Sequence, residues 1–280
     1  MTIQPLRGKL QLTSSEGLRF FFVGTGSAFS RKNFQNNLLI IKGDDHLLID
    51  CGTSCPYALT TYGSNIGEIQ NVLVTHSHAD HIGGLEEMAF IGMYTTKKKT
   101  RMIITDEYKE ILWEQSLRGG CGMSDSRPNG IMTFEDYFIQ QAPELISETP
   151  RPFYRTKMGS IDIKIFRTKH IPSMTGSWKD MFYSVGVLID DRILFPADTV
   201  LDRELLDWML GEYPIEWIFH DCQFFKSGVH SAYPDLCTLP ADIKKKMYLC
   251  HYGDNFEAYT PKKEGFAGFV QRGAYYCFDM

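Results

Sequence analysis

Five strand-like segments of the chain each end on a histidine or an aspartate, and this pattern constrains the fold more than any other feature. The segments are "IQNVLVTH", "SIDIKIFRTKH", "YSVGVLIDDRILFPAD", "IEWIFHD" and "KKMYLCH", and they are mostly apolar, as buried strands are. Their last residues are His76, His170, Asp198, the pair His220-Asp221, and His251. Because ligands of sheet proteins commonly lie beyond the strand ends, we expect these side chains to form one polar rim.

The segment "HSHADH", residues 76–81, has the composition and spacing of a metal-binding motif. Side chains at His76 and His78 of an extended segment point the same way and can hold one metal ion. Asp80 and His81 follow where the chain turns, so they can face a second ion. Imidazole and carboxylate ligands suit zinc. Together with the later strand-end residues, these side chains offer more ligands than one zinc ion binds. The sequence therefore predicts two metals with a shared carboxylate and an open position for water.

Length and composition narrow the protein class. The 280 residues contain no linker, repeat or low-complexity tract, so we expect a single domain over residues 1–280. A glycine-rich stretch at residues 115–155 is a candidate lid or insertion. The seven cysteines form no CxxC pair and are expected to be reduced. The start of the chain does not resemble a signal peptide, and no apolar run has membrane-spanning length, so a cytoplasmic location is expected.

On the HxHxDH motif and the strand-end residues, the chain resembles the metallo-β-lactamase fold superfamily over about residues 18–255. The resemblance implies an α+β fold, a four-layer αββα sandwich with the metal site at one edge of two sheets. It implies two Zn²⁺ ions, with Mn²⁺ as an alternative, and a hydroxide that bridges them. The implied ligands are His76, His78 and His170 for the first ion, Asp80, His81 and His251 for the second, and Asp198 between them. Asp50, which closes an early hairpin, would support the ligands from behind.

Two features favour one branch of this superfamily. His78 stands where the di-iron electron-transfer branch generally has a carboxylate, which favours zinc hydrolysis, and Asp198 differs from the residues that β-lactamases use. The segment "IFHDCQFFKSGVHS" resembles the ribonuclease Z group of phosphodiesterases. By this resemblance His230 would protonate the leaving oxygen, Asp221 would orient or charge it, and His220 would stand behind them. Asp80 completes the expected catalytic set.

The sequence also departs from that group. The arm that grips transfer RNA in bacterial ribonuclease Z does not fit between His170 and Asp198, an interval of 28 positions that a hairpin nearly fills. The net charge of −5 also disfavours a nucleic-acid partner. The sequence therefore predicts hydrolysis of a small or cyclic phosphodiester, without a membrane partner. A ribonuclease Z-type nuclease, a thioester or lactone hydrolase, a non-catalytic scaffold and a homodimer stay open as alternatives.

Overall fold

The computed structural model describes residues 1–171, 176–226 and 228–278, and these fall into two compact units. The first unit comprises residues 1–24, 37–143 and 273–278. The second unit comprises the described residues of 25–36 and 144–272. Each unit contains one sheet and its own helices, so every strand of a given sheet lies within one unit.

The sheet of the first unit combines antiparallel and parallel strands. Its strands are β1 (Thr2–Pro5), β2 (Ser14–Gly24), β3 (Asn37–Gly43), β4 (Asp45–Ile49), β5 (Asn71–Leu73), β6 (Thr100–Ile103), β7 (Phe138–Gln141) and the last strand of the chain, β16 (Ala274–Cys277). The spatial order is β1-β16-β2-β3-β4-β5-β6-β7. Pairing is antiparallel from β1 to β4 and parallel from β4 to β7. The central strands β2 and β3 each contain a continuous apolar run, residues 20–23 and 38–41, and these residues are buried on both faces of the sheet.

The helices of the first unit are short. They are α1 (Cys55–Thr61), α2 (Ala79–Ile82), α3 (Leu85–Phe90), α4 (Asp106–Leu112), α5 (Arg118–Cys121) and α6 (Phe134–Tyr137). A 3-10 turn spans Ile66–Glu68, and π-helical segments at Ile91–Thr96 and Trp113–Leu117 continue α3 and α4. The short helix α2 carries Asp80 and His81, so the second half of the HxHxDH motif is helical.

The sheet of the second unit follows chain order. Its strands are β8 (Glu144–Ser147), β9 (Phe153–Met158), β10 (Ile161–Arg167), β11 (Val185–Ile189), β12 (Ile193–Phe195), β13 (Trp217–Asp221), β14 (Met247–Cys250) and β15 (Gly268–Phe269). Pairing is antiparallel from β8 to β12 and parallel from β12 to β15. The two sheets therefore share one pattern, four antiparallel pairs followed by three parallel pairs.

Three α-helices accompany the second sheet: α7 (Arg203–Glu212), α8 (Tyr233–Leu236) and α9 (Ala241–Lys244). Short 3-10 turns lie at Trp178–Asp180, Phe256–Ala258 and Pro261–Glu264. The core of this unit contains Phe166, Leu194, Met209, Leu236 and Leu249, contributed by three strands and by α7 and α8. The longest of the described α-helices is α7, and within the described ranges no helix has the length and apolar character needed to cross a bilayer.

The histidines and aspartates that the sequence analysis places at strand ends lie at the observed strand ends or up to three residues beyond them. His76, His170 and Asp198 each come three residues after the end of β5, β10 or β12. His251 directly follows β14, and Asp221 is the last residue of β13. Four of the five therefore lie just beyond the strands, in the segments that follow them.

The glycine-rich stretch at residues 115–155 contains regular structure. It includes α5 and α6 and the strands β7 and β8, one at the edge of each sheet. The segment 122–131, between α5 and α6, carries the exposed apolar side chains Met123 and Ile131. Its role as a lid stays a prediction, as does the single domain over residues 1–280.

Candidate metal centre

In the first unit, Asp50 organises the HxHxDH motif from behind. This buried carboxylate follows β4 and accepts three hydrogen bonds: from the Thr75 backbone N–H (2.7 Å), from the Thr75 hydroxyl (2.8 Å) and from Nδ1 of His81 (2.7 Å). Burial raises the pKa of Asp50, while the His81 charge and the hydrogen bonds from His81 and Thr75 act in the opposite direction. The supporting role that the sequence predicts for Asp50 therefore has a geometric basis, because this carboxylate fixes the ring of His81.

The hydroxyl of Thr75 sets the tautomer of His76. Because this hydroxyl donates to Asp50, its oxygen faces Nδ1 of His76 (3.0 Å) as an acceptor, and Nδ1 carries the proton. The other ring nitrogen of His76, Nε2, then keeps a lone pair and lies 3.0 Å from Nδ1 of His78. The structure thus turns ring nitrogens of His76 and His78 toward each other, as the extended spacing predicts.

Asp80 and His81 form the second half of the motif, in the first turn of α2. Nδ1 of His81 donates to Asp50, so Nε2 keeps its lone pair, and it lies 3.3 Å from Oδ2 of Asp80. The rings of His76 and His81 approach to 3.9 Å between their centroids. Several electron-rich atoms are therefore gathered in one buried place, and this donor set fits a divalent metal ion.

In the second unit, Asp198 is the centre of a group of imidazoles. Its Oδ2 lies 3.4 Å from Nε2 of His251, 3.7 Å from Nδ1 of His230 and 4.0 Å from Nε2 of His170. These distances are longer than good hydrogen bonds. A buried carboxylate facing the Nε2 atoms of His170 and His251 at this spacing is the arrangement that a cation between them stabilises.

His170 is held in the neutral form that binds metals. Its Nδ1 donates to the carbonyl of Val229 (3.0 Å), which leaves the lone pair on Nε2, the nitrogen that faces Asp198. Burial is the largest cause that lowers the pKa of His170, to about 4. At neutral pH the ring is therefore unprotonated, as a metal ligand must be.

Asp221 and His230 form a close hydrogen-bonded pair in the same unit. Nδ1 of His230 lies 2.7 Å from Oδ2 of Asp221, which also accepts the backbone N–H of Thr199 (3.1 Å). Burial alone would lower the pKa of His230, but the charge and hydrogen bond of Asp221 raise it above its ordinary value. Burial alone would raise the pKa of Asp221, but the charge and hydrogen bond of His230 hold it below its ordinary value. His230 is therefore suited to carry a proton.

Donor atoms of Asp198, Asp221, His230 and His251 lie within 4.8 Å of one another. His220 leaves β13 on the opposite face from Asp221, because successive side chains of a strand alternate. Its buried ring contacts the carbonyl of Asp221 through Nδ1 (2.9 Å), and burial lowers its pKa. The described contact of the His220 ring is therefore with the backbone carbonyl of Asp221. That His220 supports the metal ligands stays a prediction.

Two determinants of the site escape sequence reasoning. Thr75 sets the orientation of His76, and the available signal is only its position directly before the motif. Asp50, Ala197 and His251 have left-handed backbone conformations, with φ of 65°, 55° and 57°. Such values are uncommon for residues other than glycine and concentrate at functional sites, and nothing in the local sequence indicates them.

Two sheets with helices, and strand ends that carry histidine and aspartate, define a metallo-β-lactamase fold protein. Solved structures agree: YhfI from Bacillus subtilis, a metallo-β-lactamase fold protein, superposes with a TM-score of 0.65 at 17% identity, covering 92% of this chain and 98% of that one. A diphosphatase of the PhnP family gives 0.63 at 14% identity (94% and 98% covered), and the short form of human tRNase Z gives 0.60 at 16% (94% and 100%). The predicted fold class is confirmed.

The family follows from sequence comparison. The family model for Anti-Pycsar protein Apyc1 matches residues 18–276, and the chain belongs to this family. An Anti-Pycsar protein Apyc1 from Paenibacillus harenae is 39% identical over 238 residues, which cover 85% of this chain and 90% of the relative. The protein of that name from Bacillus phage BSP38 is 36% identical over 246 residues, covering 86% and 91%.

Replacing Thr75 with valine tests whether the tautomer of His76 matters for metal binding. The variant keeps the shape and the backbone N–H of Thr75 but removes the hydroxyl that accepts from Nδ1 of His76 and donates to Asp50, so we expect zinc affinity to fall by about 10- to 100-fold. Competition with a chromophoric chelator measures this affinity. Thr60→Val, the same change at an exposed position of α1, is the matched control and should bind zinc as the wild type does. Equal affinities of all three proteins would contradict the assignment.

Proposed function

We propose that the protein is a dinuclear zinc phosphodiesterase that hydrolyses a small or cyclic phosphodiester. By the family resemblance, His76, His78 and His170 would hold one ion, Asp80, His81 and His251 would hold the other, and Asp198 would serve both. Manganese is the alternative metal, since imidazole and carboxylate ligands accept both.

The observation that carries the proposal is the Asp221–His230 pair beside Asp198. Hydrolysis of an alkyl phosphodiester must deliver a proton to a departing alkoxide, and a positioned histidine is the usual donor. The side chain of His230 is 19% exposed, so a substrate can reach its ring, and the buried carboxylate of Asp221 favours the protonated form. A hydrolase of thioesters or lactones has less need of such a donor.

The other residues of the site have separate roles in the proposed reaction. When bound, the metal ions would supply a water molecule of lowered pKa and would neutralise charge that develops on the phosphoryl oxygens. Asp80 and Asp198 bring the negative charge that holds two cations, and Asp50, Thr75 and the Val229 carbonyl keep the imidazoles in the ligating tautomer. His230 gives its proton to the leaving oxygen, and Asp221 stabilises the charge on the ring before that transfer.

A small substrate is supported by the sequence. The interval between His170 and Asp198 has no room for an arm that grips transfer RNA, and the net charge is −5. Within the superfamily, arm-free phosphodiesterases act on cyclic nucleotides and on cyclic phosphates. The relatives are named Anti-Pycsar proteins, and the family model of that name matches residues 18–276, which include the whole metal motif.

A substrate panel on the zinc-loaded protein tests the proposal. It compares cyclic mononucleotides, base-free cyclic phosphates, an aryl phosphodiester, single-stranded RNA and a thioester, each before and after removal of metal with a chelator. We expect kcat/KM to be highest for a cyclic substrate, and activity to disappear with the metal and return with zinc. Preference for RNA would favour the nuclease, and turnover of the thioester alone would overturn the proposal. Metal content near two ions per chain is the accompanying expectation.

A further inference from the structure

Two buried hydroxyl groups lie behind Asp198 in the second unit. Thr168 directly follows β10 and Ser184 directly precedes β11, and neither residue is exposed to solvent. Their hydroxyl oxygens are 2.8 Å apart, and each lies 3.4 Å from the backbone carbonyl oxygen of Asp198. One hydroxyl can therefore donate to this carbonyl while the other donates to its neighbour.

The three residues meet at one end of three adjacent strands. Because β10, β11 and β12 pair antiparallel in that order, the end of β10, the start of β11 and the end of β12 lie at the same edge of the sheet. The backbone N–H of Thr168 donates to the carbonyl of Ser184 (3.0 Å), which extends the pairing of β10 and β11 by one residue. The sheet therefore fixes the hydroxyl pair, and Asp198, three residues beyond β12, lies against it.

The segment that carries Asp198 is also joined to the segment that carries His170. The carbonyl of Lys169 accepts a hydrogen bond from the backbone N–H of Val200 (2.8 Å) and another from the hydroxyl of Thr199 (3.2 Å). Together with the hydroxyl pair, these bonds hold the two segments side by side. The position of one predicted metal ligand relative to the other therefore depends on hydrogen bonds made by buried hydroxyl groups.

The backbone that leads into Asp198 has a conformation that needs such support. Ala197 is left-handed, with φ of 55°, which is uncommon for alanine and persists where surrounding contacts determine it. The carboxylate of Asp198 lies 3.4 to 4.0 Å from the imidazole nitrogens of its own unit, and contacts of this length hold a side chain weakly. The contacts on the backbone of Asp198 therefore set the direction of its side chain.

We propose that Thr168 and Ser184 are positioning residues, which hold the backbone of Asp198 so that its carboxylate faces the imidazoles of the metal centre. Packing alone does not require hydroxyl groups here, because burying a hydroxyl costs free energy, and valine or alanine would fill nearly the same space without that cost. The inference rests on the proposed function, because this carboxylate is proposed to serve both metal ions.

Zinc affinity and the visible spectrum of the cobalt-substituted protein test this inference. The double variant Thr168→Val/Ser184→Ala removes both hydroxyl groups, and we expect zinc affinity to fall by about 10- to 100-fold, the usual effect of losing support behind a metal ligand. The absorption bands of bound Co²⁺ should shift, because they report the ligand geometry. Each single variant keeps one hydroxyl that can donate to Asp198, so its expected loss is about 2- to 10-fold. Wild-type affinity and wild-type bands in the double variant would overturn the inference.

Thr100→Val is the matched control in the first unit. Thr100 is buried in β6, and its hydroxyl donates to the backbone carbonyl of Ile69 (3.3 Å), so this variant loses the same kind of hydrogen bond at a different carbonyl. We expect a lower temperature of thermal unfolding, with zinc affinity and cobalt bands like those of the wild type. A loss of zinc affinity as large as that of the double variant would count against the inference, because lowered stability would then explain both.

Two further outcomes are decided by other measurements. If the double variant does not fold, the single variants decide, with a loss of zinc affinity of at least about twofold in favour of the inference and wild-type affinity against it. If the wild type binds no zinc, the proposed function fails. Nuclear magnetic resonance of the metal-free protein then decides the inference: the imidazole ¹⁵N resonances of His170 and His251 should shift in the double variant, and unchanged resonances would overturn it.

Discussion

Asp198→Asn is expected to lower kcat/KM for a cyclic phosphodiester by roughly 10³-fold or more. The change keeps the size of the side chain and removes only the negative charge. In the second unit that charge faces His170, His230 and His251 at distances of 3.4 to 4.0 Å. Without this charge, the imidazoles keep their positions, but the site loses the carboxylate that is proposed to serve both metal ions.

Metal content and activity should therefore fall together in this variant. Inductively coupled plasma mass spectrometry measures the zinc bound per chain, and initial rates on a cyclic substrate measure kcat/KM. Asp207→Asn, the same change at an exposed position of α7, is the matched control and should retain both. An Asp198→Asn protein that binds the full complement of zinc and hydrolyses the substrate at the wild-type rate would refute the shared-carboxylate assignment.

The second large effect is expected for His230→Ala, and it should depend on the substrate. For a phosphodiester with an alkoxide leaving group, kcat should fall by about 10²- to 10⁴-fold, the typical contribution of a general acid. For an aryl phosphodiester the fall should be at most about 10-fold, because a phenolate leaves without a proton donor. Initial rates of one enzyme preparation on both substrates give the ratio directly, so differences in folding or metal loading cancel.

Asp221→Asn provides a second test of the ratio between the alkyl and the aryl substrate. The amide keeps the shape of the side chain that contacts His230 at 2.7 Å but removes the charge that raises the pKa of His230. We expect the same selectivity for the alkyl substrate at a smaller magnitude than in His230→Ala. Equal losses on the alkyl and the aryl substrate in both variants would remove His230 from the role of acid and leave it as a structural neighbour of His251.

The fold and many of the site residues could be predicted because their signals are local. An apolar run that stops at a histidine or an aspartate is visible in the sequence, and the spacing of His76 and His78 already implies that their side chains face the same way. The structure then places Asp221 and His230 in direct contact, although nine positions separate them. The family resemblance had indicated that Asp221 and His230 act together.

Other features could not be predicted because they depend on contacts between distant segments. The tautomer of His170 depends on the carbonyl of Val229, whose backbone group any residue could supply. The left-handed conformations of Asp50 and His251 come from the loop geometry after each strand, and sequence patterns report only average preferences.

The shared pairing pattern of the two sheets bears on how such a protein arises. In each sheet the change from antiparallel to parallel pairing falls at one place, between β4 and β5 in the first and between β12 and β13 in the second. Asp50 directly follows β4 and Asp198 comes three residues after the end of β12, so each half carries an aspartate beyond the strand at which its pairing changes. Duplication and fusion of one half-length ancestor produces such a correspondence.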